Sequence, residues 1–319
     1  MRIFITGASG FVGGAATRHL CAAGHQVLAM ARSDRAEATV RALGAEPVRC
    51  DLTTVTARHL DGVESVVHCA AYVEAWGPKN AWYEANVLGA QAMLDAAKKA
   101  GVRRFVHIGT EAALVHGQHL RKVDETYPLA PNSPFPYCAT KAQAEARVRN
   151  ANAPGFETIV LRPRFIWGPG DTTLLPTIEA MAKSGRWTWI DHGRAVTSTT
   201  HIDNLVHAID LALTNGRPGS AYFILDDGER SMREIVTALA ATRGLTLPDR
   251  SMPSSLADAI GATCETVWRL FNLQGAPPLT RHAAMVMARD CVLVGEKAKA
   301  ELGYAPVITV EGGLKAMAA

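Results

Sequence analysis

The sequence lacks the marks of several protein classes. No run of 18 uninterrupted apolar residues occurs along the 319-residue chain, so a transmembrane helix is not expected. The net charge of only +3 argues against a dedicated nucleic-acid binder. The six cysteines form no Cys-x-x-Cys pair, which predicts reduced thiols rather than a disulfide framework or a zinc site.

A cationic leader and a cluster of metal ligands are also missing. A strand pattern begins at Arg2, so no signal peptide is expected and the cytoplasm is the expected location. His116 and His119 have no carboxylate or thiolate partner at ligand spacing, so no metal site is predicted. What is present is an ordinary globular composition over a length that predicts about two domains.

Short apolar segments alternate with helix-like segments over the first half of the chain. This alternation is typical of βαβ units, so we predict an α/β fold with a Rossmann-type doubly wound parallel sheet. Its longer helices are predicted over 80–100 and 139–149, and 199–213 is predicted to return to the edge of the sheet. The sheet domain is assigned to 1–165, with 196–226 returning to it. A smaller, mostly helical lobe for the substrate is assigned to 166–195 and 227–319.

A glycine triplet, Gly7-x-x-Gly10-x-x-Gly13, follows the first predicted strand and opens the first helix. Glycine gives the turn its backbone freedom, lets the chain approach a pyrophosphate and lets the helix pack closely on the strand. The N-terminus of that helix offers unpaired N–H groups to phosphates. We therefore predict a dinucleotide site in the sheet domain, with further contacts from three residues among the glycines: Ser9, Phe11 and Val12.

The end of the second predicted strand bears on which dinucleotide binds. An acidic residue there typically holds the ribose 2′-hydroxyl of NAD, whereas this strand ends in Arg32 and Ser33, with Arg35 close behind. A guanidinium and a hydroxyl suit the 2′-phosphate of NADP. NADP is therefore the favoured prediction. NAD is the alternative, because Asp34 is acidic and Arg32 could stack on the adenine instead of binding a phosphate.

Tyr137 and Lys141 form a Tyr-x-x-x-Lys pair at the start of a predicted helix, one turn apart on one face. A tyrosine with its usual pKa of about 10 is a poor acid–base group at neutral pH, and a nearby ammonium would lower that pKa. Proton transfer to a carbonyl, or from an alcohol, needs such a group. Thr110 follows a strand, so its hydroxyl would lie at the carboxyl edge of the sheet and hold the substrate oxygen. The alternative is a plain surface pair on a helix.

In their order along the chain, these motifs resemble those of the extended short-chain dehydrogenase/reductase family. The resemblance covers nearly the whole chain and rests on the glycine triplet, Asp51-Leu52, Ala70-Ala71, Asn86, Thr110, Tyr137-x-x-x-Lys141 and Arg162-Pro163. The segments 161–170 and 197–201 are most similar to the 3β-hydroxysteroid dehydrogenase-like branch. The resemblance also implies a homodimer through the helices 80–100 and 139–149.

The same resemblance implies contacts with the cofactor. Asp51 would contact the adenine, with Leu52 in the same motif. Ala70 and Ala71 would line the cofactor, and Pro163 would pack near the nicotinamide.

The resemblance implies catalytic roles as well. Tyr137 would be the acid–base residue, Lys141 would touch the nicotinamide ribose and support Tyr137, and Thr110 would orient the substrate. Asn86 would kink or hydrate the central helix as part of a proton relay. Dehydratases of similar fold carry a Thr-Asp-Glu cluster, whereas Glu111 follows Thr110 here, so elimination chemistry is doubtful.

Apolar residues recur at helical spacing in the C-terminal lobe. They are Leu256, Ile260, Cys264, Val267, Leu270 and Phe271, with Trp268 beside them. Core packing is the favoured interpretation of this stripe. The alternatives are a wall of an apolar substrate pocket or a face that lies on a membrane surface.

The predicted function is a NAD(P)-dependent oxidoreductase that interconverts a ketone and a secondary alcohol. Its partner would be a small, largely apolar substrate, sterol-like or 3-oxo-acid-like. One alternative is a nucleotide-sugar epimerase that uses the same residues and retains NAD. A second is a sensor that binds NADP without catalysis, although the complete set of Thr110, Tyr137 and Lys141 argues against it.

Overall fold

A seven-stranded parallel sheet forms the centre of the molecule. The computed structural model describes residues 1–78 and 80–318; residues 79 and 319, which fall inside the two predicted domains, lie outside the described residues. The strands are β1 (Arg2–Thr6), β2 (Gln26–Ala31), β3 (Glu46–Arg49), β4 (Ser65–His68), β5 (Arg104–Ile108), β6 (Leu120–Val123), β7 (Glu157–Pro163), β8 (Ile166–Trp167), β9 (Trp189–Ile190), β10 (Val196–Thr197), β11 (Thr200–His201), β12 (Ser220–Ile224), β13 (Arg230–Ser231), β14 (Ser251–Met252) and β15 (Cys291–Leu293).

The order of the central strands is β12-β7-β5-β4-β1-β2-β3, and every neighbouring pair is parallel. The order reverses between β1 and β4, and in doubly wound sheets a dinucleotide binds in the crevice at such a point. Helices cover both faces, so the strands are apolar on both sides: Ile3 and Ile5 pack into one core and Phe4 into the other. The predicted α/β fold is confirmed.

The helices are α1 (Phe11–Ala22), α2 (Asp34–Ala42), α3 (Gly89–Lys99), α4 (Pro136–Asn150), α5 (Leu174–Lys183), α6 (Ile202–Ala212), α7 (Met232–Ala241), α8 (Ser254–Leu270), α9 (Arg281–Ala288), α10 (Glu296–Leu302) and α11 (Val310–Ala318). Leu20 of α1 and Leu205 of α6 join the core on one face of the sheet. Met93 of α3 and Val148 of α4 join the core on the other face.

Two predicted helices differ from the observed ones. The helix predicted over 80–100 contains a π-helical turn at Tyr83–Leu88 before α3 begins. Such turns are rare and are found mostly at functional sites. The helix predicted to begin at residue 139 begins at Pro136. Proline suits a first helical turn, because its φ is already helical and its missing N–H would have no partner there.

The C-terminal part of the chain has an apolar core of its own, which contains Trp187 and Trp189 and the inner faces of α5 and α7. Ser231 and Glu234 form a capping box that fixes the start of α7. The prediction for 199–213 is wrong in one respect. The edge strand beside β7 is β12, whereas β11 pairs with β8 in a separate two-stranded sheet.

The apolar stripe of α8 is largely exposed, so the favoured prediction of core packing is wrong. Leu256 is 50% exposed and Leu270 is 73% exposed. The buried residues of α8 are Ala257 and Gly261. A Cβ on Gly261 would lie 2.9 Å from the backbone nitrogen of Arg281. Small residues thus allow α9 to pack closely on α8, and the larger apolar side chains lie outside that contact.

All six cysteines are free thiols, as predicted. Burial raises the pKa of the Cys50 thiol to about 11, which makes it an inert core group. In the part of the chain that the structure describes, no helix is long and apolar enough to cross a membrane.

Candidate active site

The backbone of the loop between β1 and α1 lies very close to its neighbours, and glycines make this possible. Gly7 has a φ of +70°, a left-handed conformation that side chains rarely adopt. A Cβ on Gly13 would lie 2.2 Å from the Gly7 carbonyl oxygen, and a Cβ on Gly7 would lie 2.9 Å from the Ala70 nitrogen. Gly10 donates its N–H to the same Gly7 carbonyl at 2.9 Å. The glycines therefore keep a cradle without side chains at the N-terminus of α1, which fits a pyrophosphate.

The other predicted cofactor residues near this cradle lie at the same edge of the sheet. The Ala70 N–H donates to the Thr6 hydroxyl at 3.0 Å, which ties the loop after β4 to the end of β1. Because the carboxyl ends of parallel strands meet at one edge, the topology brings these positions together. They are Ser9, Phe11, Val12, Ala70, Ala71 and Pro163.

The end of β2 carries positive charge. Arg32 is exposed, and it forms no ion pair with any residue that the structure describes. The Ser33 hydroxyl accepts the Ala36 N–H at 3.2 Å and so caps α2, which leaves its proton available. Asp34, the residue that favoured NAD in the sequence, is paired with Arg49 at 2.6 Å. The local charge is therefore less acidic than the sequence alone indicates.

Asp51 and Leu52 both make contacts within the protein. The Asp51 carboxylate accepts the backbone N–H of Thr53 at 2.8 Å and that of Thr54 at 3.0 Å. Hydrogen bonds from Thr53 and Thr54 hold the pKa of Asp51 below its usual range. The side chain of Leu52 packs against α3, where a Cβ on Gly89 would meet its Cδ1 at 2.7 Å. Contacts of both residues with a cofactor stay predictions.

Tyr137 is the second residue of α4, and its ring meets the edge of the His282 ring at a centroid distance of 5.8 Å. Burial raises the pKa of Tyr137, and the negative charge of Glu111 raises it further. Hydrogen bonding to Thr110 acts in the opposite direction. The predicted lowering of this pKa by Lys141 is therefore wrong for this structure. Tyr137 is a protonated phenol at neutral pH, the form that donates a proton.

Lys141 lies one helical turn after Tyr137 and is buried. Its Nζ donates to the Ile108 carbonyl at the end of β5, at 2.8 Å. Burial lowers the pKa of Lys141 to about 8, and the charge of Glu145 partly offsets that effect. The lysine is thus held in one place by the sheet.

The Thr110 hydroxyl is engaged within the protein. It donates to Glu111 Oε2 at 2.8 Å and accepts the N–H of Ala112 at 3.2 Å. Glu111 is 4% exposed, and its Oε1 accepts from Arg164 Nη1 at 2.5 Å. A hydroxyl has a single proton. In this structure that proton is donated to Glu111, and the role of Thr110 in holding the substrate oxygen stays a prediction.

Asn86 lies in the π-helical turn and is buried. Its Oδ1 accepts the Tyr72 N–H at 2.7 Å, and its Nδ2 donates to the Tyr72 carbonyl and to the Thr140 hydroxyl, each at 3.2 Å. The predicted kink in the central helix agrees with this turn. The side chain ties the loop after β4 to α4, and a part in a proton relay stays a prediction.

A cavity of about 390 Å³ opens beside Tyr137. It is lined by Glu74, Ala75, Trp76, Trp82, Pro134, Phe135, Pro136, Tyr137, Glu265, Arg269, Arg281 and His282. The Nε2 atom of His282 is buried and has no hydrogen-bond partner among residues 1–78 and 80–318. Burial lowers the pKa of His282 to about 4, so its imidazole is neutral at pH 7.

Sequence reasoning missed two parts of this site. His282 belongs to no motif, and no signal in the sequence connects it to Tyr137. Glu111 stood out only as a departure from the dehydratase pattern, and its partner Arg164 lies 53 residues further along the chain.

Comparison with known proteins gives consistent matches. The family described as the NAD dependent epimerase/dehydratase family matches residues 3–224. The 4-hydroxy-2-methyl-3-oxo-4-farnesyl-3,4-dihydroquinoline-1-oxide ketoreductase of Stigmatella aurantiaca is 40% identical, over 99% of this chain and 96% of that protein. The 2-alkyl-3-oxoalkanoate reductase of Stenotrophomonas maltophilia is 37% identical, over 100% of this chain and 99% of that protein. The crystal structure of dTDP-glucose 4,6-dehydratase from Streptomyces venezuelae with NAD bound has a TM-score of 0.78 and 25% identity, covering 100% of this chain and 96% of that one.

The matched region contains the central sheet, the glycine cradle and α4. It covers well over half of the chain, and the relatives named above match nearly all of it. The chain belongs to the NAD-dependent epimerase/dehydratase family of extended short-chain dehydrogenases/reductases, as its motifs predicted, and it is an oxidoreductase of that family.

Proposed function

We propose that the protein is an NADP(H)-dependent ketoreductase that acts on a largely apolar substrate. The observation that carries the proposal is the position of Tyr137. Its phenol lies at the wall of a cavity whose other walls include Trp76, Trp82 and Phe135. Aromatic walls bury apolar substrate surface, and a protonated phenol among them is placed to act on a carbonyl oxygen.

In the proposed ketone reduction, Tyr137 donates the proton and Lys141 stabilises the phenolate that remains. The nicotinamide cofactor, when bound, supplies the hydride that adds to the carbonyl carbon. Tyr137 donates its hydroxyl proton to the carbonyl oxygen, so the ketone becomes a secondary alcohol and Tyr137 a phenolate. A proton from solvent then restores the phenol. Lys141, which the Ile108 carbonyl holds one turn away, supports the phenolate by its positive charge.

The substrate class rests on the cavity and on the relatives together. The cavity combines aromatic walls with four charged side chains of both signs: Glu74, Glu265, Arg269 and Arg281. Two full-length relatives carry the names of a farnesylated quinoline-oxide ketoreductase and a 2-alkyl-3-oxoalkanoate reductase. Both names describe a ketone in an apolar molecule. We therefore place the substrate among 3-oxo compounds with an alkyl or isoprenoid chain.

The choice of NADP over NAD rests on the end of β2. A 2′-phosphate there would meet the exposed guanidinium of Arg32 and the hydroxyl proton of Ser33. Asp34 opposes a phosphate in the sequence, but it forms an ion pair with Arg49 at 2.6 Å.

One assay distinguishes a ketoreductase from an epimerase and from a non-catalytic sensor. NADPH and NADH are offered to the purified protein with a panel of alkyl 3-oxo compounds and UDP-sugars, and oxidation of the cofactor is followed at 340 nm. Turnover of a 3-oxo compound with NADPH supports the proposal. Turnover of UDP-sugars without added cofactor indicates an epimerase, and binding of NADPH without any turnover indicates a sensor.

We also propose a homodimer through the outer face of α3 and α4. These helices lie side by side, with Arg147 Nη1 donating to Gln91 Oε1 at 3.2 Å. Near them, Leu88 is 48% exposed and Tyr83 is 40% exposed. Sedimentation or light scattering measures the mass in solution, and replacing Leu88 by Asp should shift a dimer toward the monomer.

A further inference from the structure

Two arginines line the same cavity as Tyr137. Arg269 comes from the last turn of α8 and Arg281 is the first residue of α9, and both are exposed. Neither guanidinium forms an ion pair or a hydrogen bond with any residue that the structure describes. A guanidinium carries five N–H donors, so much donor capacity at this wall is unused by the protein itself.

Aromatic side chains of the cavity hold both guanidinium groups in place. The guanidinium carbon of Arg269 lies 4.2 Å from the centre of the Trp76 ring, and that of Arg281 lies 5.9 Å from the centre of the Phe135 ring. A guanidinium over an aromatic face is attracted by the ring and uses none of its N–H donors in that contact. Both arginines are therefore positioned and still able to bind a ligand.

The backbone of Arg281 is fixed by its contact with α8. Its N–H donates to Glu265 Oε1 at 2.8 Å, and a Cβ on Gly261 would lie 2.9 Å from the same nitrogen. Glu265 thus binds the start of α9 and forms no ion pair with either arginine among the described residues. The other carboxylate of the cavity, Glu74, is exposed and also forms no ion pair in the described part of the chain. The acidic side chains of the cavity therefore leave both guanidinium groups without a partner.

His282 and Phe135 connect Arg281 to the proton donor. The centre of the His282 ring lies 5.8 Å from that of Tyr137 and 5.6 Å from that of Phe135, the ring over which Arg281 lies. At about 390 Å³ the cavity has the volume of a single small ligand. A molecule whose ketone meets Tyr137 is therefore within reach of the positive charge at this wall.

We propose that Arg269 and Arg281 determine substrate specificity by binding a carboxylate, so that the preferred substrate is a 3-oxo acid and not a neutral ketone. In a 3-oxo acid one carbon separates the carboxylate from the ketone, which suits an anion-binding group close to Tyr137. Arginine binds a carboxylate through two parallel hydrogen bonds, a geometry that also fixes the orientation of the ketone. The proposal rests on the proposed ketone reduction and narrows its substrate class.

The first test compares two ketones that differ in charge. The probes are 3-oxododecanoate and its methyl ester, which share the chain and the ketone, and NADPH oxidation is followed at 340 nm. The wild-type protein should show a kcat/KM at least about tenfold higher for the acid, because a hydrogen-bonded charge pair is worth about that factor. Arg281→Gln should lose most of this advantage through KM, with kcat/KM for the ester changed less than about twofold.

Two further variants separate charge from packing. Arg269→Gln/Arg281→Gln should abolish the preference for the acid, whereas Arg281→Lys keeps the charge and should retain part of it. The matched control is Arg233→Gln. Arg233 also lies over a tryptophan, at 4.8 Å from the centre of the Trp189 ring, but it pairs with Asp249 and does not line the cavity. Its replacement should leave the ratio of the two substrates unchanged.

The second test needs no turnover. Titration calorimetry in the presence of NADP measures the binding of 3-hydroxydodecanoate and of its methyl ester. The wild-type protein should bind the hydroxy acid at least about tenfold more tightly than the ester, and the double variant should bind the two equally.

Equal use of the acid and the ester by the wild-type protein overturns the proposal. So does a loss in Arg281→Gln that is the same for both substrates, which would indicate a structural role. Failure of the proposed function looks different: the wild-type protein then reduces neither ketone, while calorimetry still decides whether the two arginines bind the carboxylate. If calorimetry shows no preference for the hydroxy acid, this proposal fails as well.

Discussion

Gly13→Ala tests the cradle of the nucleotide site most directly. A Cβ at this position would lie 2.2 Å from the Gly7 carbonyl oxygen, 2.6 Å from the Gly7 carbonyl carbon and 3.0 Å from the Ala8 nitrogen. All three are backbone atoms, so no flexible side chain can move aside. Gly7 itself is constrained, because a shift would press it toward the Ala70 nitrogen, with which a Cβ would already collide.

The structure allows the cost to be worked out. Relief of the 2.2 Å contact requires α1 to move away from β1 by about 1 Å, and overpacking of this kind costs about 3 kcal/mol. Alanine is favoured over glycine inside a helix by about 1 kcal/mol. The free energy of unfolding should therefore fall by about 2 kcal/mol. The affinity for NADPH should fall at least tenfold, because the displaced helix N-terminus no longer meets the phosphates.

Gly14→Ala is the matched control, one residue further along the same helix. Its Cβ would lie 3.2 Å from the Ala8 carbonyl oxygen and 3.7 Å from Leu43 Cδ1, a tight but tolerable fit. Urea unfolding of both variants gives the difference in stability, and quenching of protein fluorescence by NADPH gives the affinity. The reasoning is refuted if Gly13→Ala matches Gly14→Ala within 0.5 kcal/mol, roughly the scatter expected of a neutral change, and binds NADPH as the wild type does.

Three further predictions concern other parts of the molecule. Tyr137→Phe removes the proton donor and should lower kcat about 10³-fold with NADPH affinity unchanged; near-normal turnover would contradict its role. Arg32→Ala should weaken NADPH binding by about 2 kcal/mol and leave NADH binding nearly unchanged, since only NADPH carries the 2′-phosphate; equal losses in titration calorimetry would contradict it. The free energy of unfolding should fall as the pH falls below about 6.5, because His68 and His107 are buried and neutral, and burial lowers the pKa of His68 to about 3. The unfolded chain takes up these protons first, so His68 removes up to about 1.4 kcal/mol per pH unit between pH 6.5 and 3, and His107 acts in the same direction. Urea unfolding at pH 7, 6 and 5 checks this, with His68→Gln as the variant that should flatten the slope.

The strands and the nucleotide cradle could be predicted because their causes are local. A parallel strand covered on both faces must be apolar throughout, and β1 shows this in three adjacent residues, Ile3, Phe4 and Ile5. The glycines at 7 and 13 meet each other across a single turn, so a spacing pattern is enough to find them. The prediction of the family rests on the same kind of signal.

The stripe on α8 could not be interpreted from its spacing. Helical periodicity shows that apolar side chains share a face, but it does not show what covers that face. Close contact with α9 is made instead by the small residues Ala257 and Gly261, which a search for large apolar residues overlooks. Leu256 and Leu270 therefore lie outside the contact that the periodicity was used to predict.

The role of Thr110 depended on a partner that no local pattern reveals. In the sequence Thr110 and Tyr137 are two hydroxyls expected at one edge of a sheet, and either can donate to a substrate. The direction of donation is decided by Glu111, and the position of Glu111 is decided by Arg164, which comes from beyond β7. Burial raises the pKa of Tyr137, and the negative charge of Glu111 raises it further. The hydrogen bond of the Thr110 hydroxyl is therefore directed by a buried ion pair between distant segments, which only the packing of the fold brings together.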